Sequence, residues 1–115
     1  MAFSEFELHK IRRAVEAYIE RKRPPVHLRD RLDLQYRIKG QSVFVFEVRP
    51  DWMGGPEKME GPVVKCSWIK KHKHWRVYWM RKDLRWHSYD PYPVADTIEE
   101  VLAVVERDEW GCFYG

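Results

Sequence analysis

The 115 residues hold no apolar run of the roughly 18 residues that a membrane-spanning helix needs, so no such helix is expected. The chain opens on an amphipathic pattern instead of the apolar segment of a secretory signal, which points to a cytoplasmic protein without membrane contact. Cysteine is scarce. Cys66 and Cys112 are too few and too far apart for a disulfide framework, so two reduced thiols are expected. No internal repeat, low-complexity tract or complete catalytic, cofactor or metal signature occurs, and neither a cofactor nor a reaction follows from motif. Acids are nearly missing between Val63 and His87, where eight Lys/Arg stand against Asp83 alone. Cations are scarce from Asp96 onward, where six acids stand against Arg107.

Aromatic residues are what the chain has in quantity. Six Trp, six Tyr and five Phe give enough apolar area for one core, and the length suits a single domain over residues 1–115. Ser4 and Glu7 form a capping box, and Phe3 and Leu8 occupy the positions of a hydrophobic staple. Leu8, Ile11, Val15, Tyr18 and Ile19 then recur at helical steps, predicting an amphipathic helix to Arg23 that Pro24 and Pro25 end. Val26 to Arg31 reads as an extended connection. Leu32, Leu34, Tyr36 and Ile38 alternate with polar residues as in a half-buried strand, Gly40 and Gln41 make a turn, and Val43 to Arg49 returns as its partner. Pro50 to Pro62, with three prolines and three glycines, reads as a long loop, with Trp52 expected to fold back over a core edge. Val63 to Lys70 resumes as strand. Trp75 to Asp90 predicts a hairpin turning at Arg81 to Asp83, and Thr97 with Glu100 makes a second capping box ahead of a short helix bearing Ile98, Val101, Leu102 and Val105. The apolar end, Trp110 to Gly115, is expected to pack back on the domain.

The string W-R-V-Y-W-M-R-K-D-L-R-W-H-S-Y-D-P from Trp75, followed by a short capped helix and the ending G-C-F-Y-G, resembles a family of small bacterial proteins catalogued as domain of unknown function 3024. The resemblance covers mainly Trp75 to Gly115. It implies a bacterial cytoplasmic protein and carries over no activity and no functional residue.

The fold class expected is α+β: an N-terminal helix, an antiparallel meander of about five strands and a second short helix, both helices on one face of the sheet. Leu34, Tyr36, Phe44, Phe46, Cys66, Trp68, Val77, Trp79 and Trp86 are assigned to the helix-covered face. The opposite face then presents Arg37, Lys65, Arg76, Tyr78, Arg85, His87 and Tyr89. Charge to draw phosphates and rings to stack bases make that face a candidate non-enzymatic module for an anionic partner, nucleic acid among them. The same residues also serve as a sheet cover that needs no ligand. Val43, Val45, Ile69 and Met80, read as outward, would instead suit a protein partner or a homodimer through the open face. A third alternative, a small ribonuclease-like enzyme, would use His87, Tyr89, Asp90, Arg76 and Arg85. Cys66 shares a side with Val64 and Trp68, which suits an inert structural thiol. His72 and His74 sit among lysines at poor metal-ligand spacing, which suits a solvated turn. The helix–strands–helix order is that of double-stranded RNA-binding domains, but the acidic second helix would repel phosphate, which directs any nucleic acid to the sheet.

Overall fold

The computed structural model describes residues 3–114. Helix α1, Glu5–Lys22, starts where the cap residues dictate: Ser4 Oγ accepts the Glu7 N–H and Glu7 Oε1 accepts the Ser4 N–H. Ile11, Val15, Tyr18 and Ile19 are its buried stripe. After the two prolines the chain does not run extended as expected. Val26–Leu28 forms a 3₁₀ turn, with Leu28 N–H bonded to the Pro25 carbonyl and Arg31 N–H to that of Leu28. Pro25, with its fixed φ, sets the chain into this turn, and the i to i+3 bonds satisfy donors that an extended stretch would leave to water.

Strands β1 (Asp33–Lys39), β2 (Ser42–Pro50), β3 (Lys58–Ile69), β4 (His74–Met80), β5 (Trp86–Ser88) and β6 (Val94–Ala95) form one antiparallel sheet in sequence order. The last two are short pieces that share the far edge of β4, one at each end. Helix α2, Ile98–Arg107, follows and packs beside α1 on the same face, and the buried residues of both helices join one core with Leu34, Val43, Val45, Val64, Cys66, Trp75 and Val77. The cap of α2 differs from expectation in its second half. Thr97 Oγ1 accepts the Glu100 N–H, but Glu100 Oε2 takes the N–H of Asp96 instead of the cap residue's own. The expected packing of the C-terminal segment holds at Phe113 and Tyr114 and not at Trp110, which is mostly exposed, while Gly115 lies outside the described residues. Asp108, left-handed at the helix end, accepts the N–H groups of Phe113 and Tyr114, Phe113 is buried, and the Tyr114 hydroxyl meets that of Tyr18. No helix among the described residues is long and apolar enough to cross a membrane.

The faces of β2 are the reverse of the expected ones. A two-residue turn at Gly40 and Gln41, with Gly40 at φ +60°, sets Lys39 opposite Ser42, and therefore Ile38 opposite Val43 and Tyr36 opposite Val45. Directly opposed residues share a side, so Val43 and Val45 join Tyr36 under the helices, while Phe44 and Phe46 go to the open face. Trp86 is likewise outside, because it pairs with Met80, whereas His87 pairs with Trp79 on the helix side and Tyr89 is buried against Phe113.

The expected long loop is mostly sheet. Residues 58–62 pair with 46–50, and a β-bulge places Val63 as an unpaired extra residue between the Val64–Val45 and Pro62–Phe46 pairs. Pro62 is tolerated because β4 pairs β3 only from Lys65 onward, leaving the other edge of β3 free at the proline. Only residues 51–57 are irregular, with Asp51 accepting the N–H of Met53 and closing a turn to Gly54. Trp52 does not fold back: it is 81% exposed at this hairpin's tip, with Met53 beside it.

Candidate binding surface

The open face is a grid fixed by strand pairing. One row runs Arg37, Phe44, Lys65, Tyr78, Ser88, each directly opposite the next across five strands. The row beside it runs Lys39, Ser42, Ser67, Arg76, Val94, with Ser42 and Ser67 bonded through their hydroxyls at 2.7 Å. On the other side lie Phe46 opposite Pro62, and Met80 opposite Trp86.

Within the grid cations and rings alternate in contact. The Lys65 ammonium lies 5.7 Å from the Phe44 ring centroid and 5.3 Å from that of Tyr78, its two cross-strand neighbours. Arg37 covers Phe46 at 4.5 Å and makes a forked pair with Glu60, at 3.1 and 2.8 Å. Phe44 and Trp86 meet at 6.1 Å, and with Phe46, Met80, Arg37 and Glu60 they line a groove of about 360 Å³. Among the described residues neither Lys65 nor Arg76 forms an ion pair. A cation over a ring face gains from the ring quadrupole while leaving N–H donors free.

Four of the six expected site residues, Arg37, Lys65, Arg76 and Tyr78, therefore stand on one face. Arg85 and His87 do not join them. Arg85 closes the hairpin end opposite Arg81, accepting that residue's N–H, and His87 Nε2 is held by Asp83 Oδ2 at 2.8 Å. The His87 contact holds the Asp83 carboxyl below its ordinary range. Pairing parity is the cause: alternation in β5 counts from Met80 opposite Trp86, which sends residues 85, 87 and 89 to the helix side. The ribonuclease-like grouping is thereby divided, with Arg76 on the open face, His87 behind it and Tyr89 in the core. Cys66 is buried and burial pushes its thiol pKa up, the opposite of what a nucleophile needs. His72 and His74 stack on each other at 5.4 Å, and His74 lies on the face away from Cys66. Among the described residues no three His, Cys, Asp or Glu side chains converge as a metal site would require.

Phe44, Phe46 and Trp86 were assigned to the helix-covered face by their apolar character and stand on the open one, Phe44 and Trp86 half-buried and Phe46 buried beneath Arg37. For Phe44 and Phe46 the signal was in the chain: a two-residue turn at Gly40–Gln41 forces Val45 and not Phe44 onto the side of Tyr36, whereas Trp86 is set by its pairing with Met80.

A family model described as a domain of unknown function (DUF3024) matches residues 3–115, and the chain belongs to that family. No curated protein and no solved structure matches it.

Proposed function

We propose that the helix-free face of the sheet is a non-enzymatic binding platform for single-stranded nucleic acid. The observation that carries this is Lys65, its ammonium held between the Phe44 and Tyr78 rings in a row that begins at Arg37. A strand laid along the grid meets rings on which bases stack and cations that neutralise phosphates, the two terms that sequence-tolerant single-strand binding combines. Stacking on an aromatic side chain contributes ~1 to 3 kcal/mol per base. Lys39, Lys65 and Arg76, which form no ion pair among the described residues, supply the free charge, whereas Arg37 is committed to Glu60 and holds that side of the groove in place. Among the described residues no helix stands on this face to enter a duplex groove, which favours single strands over base-specific reading of double-stranded DNA.

Fluorescence anisotropy with labelled single-stranded RNA and DNA across a salt series tests the proposal. Three neutralised phosphates give a slope of log affinity against log salt of about −2, since each contributes about −0.7 on a single strand. Lys65→Met makes the slope shallower by roughly 0.7, and Tyr78→Ala costs ~1 to 3 kcal/mol with the slope unchanged. Folded protein that binds neither RNA nor DNA at low salt overturns the reading.

A further inference from the structure

The two edges of the sheet are unlike. On one side β5 and β6 are three and two residues long and are separated by Pro91 and Pro93, a broken edge that offers little to another strand. On the other side β1 runs seven residues without proline, glycine or bulge, and no strand covers it among the described residues. The hairpin turn decides which of its backbone groups point outward. A two-residue turn closes on a hydrogen-bonded pair, here Lys39 and Ser42, so bonded pairs to β2 recur at Arg37, Gln35 and Asp33. Leu34, Tyr36 and Ile38 therefore turn their N–H and C=O groups to the free edge. Leu34 shows it directly, because its N–H is taken by its neighbour Asp33 Oδ1 at 2.8 Å, and that carboxylate is held by Arg23. Tyr36 and Ile38 have no such cap among the described residues.

We propose that a second copy of this chain pairs antiparallel along β1, with Tyr36 opposite its own counterpart on the two-fold axis. In that register Tyr36 faces Tyr36 of the partner subunit, and Leu34 faces Ile38 of the partner subunit, apolar against apolar on the helix side. Tyr36 and Ile38, half-exposed in one chain, are covered by the pairing. Moving the register by one pair either leaves Ile38 without a strand residue opposite or sets Arg37 against Arg37 of the partner subunit, a like-charge pair.

The helix layer fits the same axis. Helix α1 runs antiparallel to β1, with Arg23 at Asp33, Glu16 bonded to the Tyr36 hydroxyl, and Arg12 beside Ile38. A two-fold through Tyr36 thus passes near Glu16, where two like carboxylates approach, each held by the Tyr36 hydroxyl of its own chain. It also sets Arg12 across from Glu20 of the partner subunit on both sides of the axis. Among the described residues Glu20 is otherwise paired only with Arg23 of its own chain, at 3.5 Å. Both residues are exposed, and they flank two shallow grooves of about 320 and 400 Å³ between α1 and β1. An axis perpendicular to the sheet leaves both open faces on the same side of a continuous sheet, so a strand that spans them binds twice.

Sedimentation equilibrium on the full chain tests the proposal, with a mass that rises from one chain to two with concentration. Tyr36→Pro removes an outward N–H while sparing every bond to β2, and is expected to give a folded monomer. Arg12→Glu weakens association by about 3- to 30-fold, because two exposed attractive pairs become repulsive. The double exchange Arg12→Glu with Glu20→Arg restores it. Residues eight positions apart on one helix do not touch, so that rescue has no explanation within a single chain. A one-chain mass at the highest soluble concentration, or single and double exchanges that associate alike, overturns the proposal. If Tyr36→Pro fails to fold, the charge exchange alone decides it.

Discussion

Trp75→Ala and Trp86→Ala together test which face of the sheet is inside. Trp75 is 5% exposed on the helix side of β4, with the Phe3 ring at 5.7 Å and the Trp68 ring at 5.5 Å. A buried aromatic removes ~150 to 250 Å² from water, which at about 25 cal/mol per Å² is ~4 to 6 kcal/mol. Truncations of this kind in other cores cost ~3 to 5 kcal/mol. Trp86 is half-buried on the open face against Phe44 at 6.1 Å, so about half that area is lost and ~2 to 3 kcal/mol is expected. Urea unfolding followed by circular dichroism gives both numbers, provided the slope with denaturant is the same in each variant. A domain with ~5 to 15 kcal/mol of stability survives the second change easily and the first one narrowly, so Trp75→Phe is the fallback if Trp75→Ala does not fold. Equal costs, or a larger cost at Trp86, would refute the face assignment.

Three further outcomes follow from single sites. Arg23 bonds both oxygens of Asp33 at 2.7 and 2.9 Å and draws its carboxyl from 3.8 down to about 2, so the pair's stabilisation is complete above pH ~4 and is lost as pH falls through 2. Wild type should exceed Asp33→Asn by ~2 kcal/mol near neutrality, with the gap closing between pH ~4 and ~2; a gap that does not change with pH contradicts it. Leu84 is 78% exposed and sits at φ +62°, so Leu84→Gly relieves ~1 to 2 kcal/mol of left-handed strain against ~0.5 to 1 kcal/mol of added chain entropy. A rise in melting temperature is expected, and a fall would show that the side chain makes contacts worth more than the strain. Native alkylation should label Cys112, half-buried near the chain end, well before Cys66, and equal rates would mean that the β3 core opens locally.

Much of the architecture could be read from local chemistry, because each signal acts within a few residues. The Ser4–Glu7 box fixes the start of α1, the Ile11–Ile19 stripe fixes its buried side, and Thr97 fixes the start of α2. Facing in the sheet is not local. It depends on turn lengths, and apolar character misleads wherever both sides of a strand are apolar, as at Val43 to Phe46. The error at Trp86 has the same origin, since a tryptophan looks like core until pairing with Met80 puts it outside. Residues 58–62 were hidden for another reason: Gly61 and Pro62 are breakers in a strand paired on both sides, but here one edge is free. Arg37, Lys65, Arg76 and Tyr78 were placed on the open face because alternation in β1, β3 and β4 is unambiguous, and the three rings between them were not. Trp52 was expected inside on the general habit of tryptophan and stands at a hairpin tip.

The most direct measurement is amide chemical-shift mapping of the isotope-labelled protein during titration with a single-stranded oligonucleotide at low salt. The predicted shifts fall on Arg37, Phe44, Lys65, Arg76, Tyr78 and Trp86 and leave α2 unmoved. Shifts confined to the helices, or no shifts while the protein stays folded, would contradict the proposal that the open face binds nucleic acid.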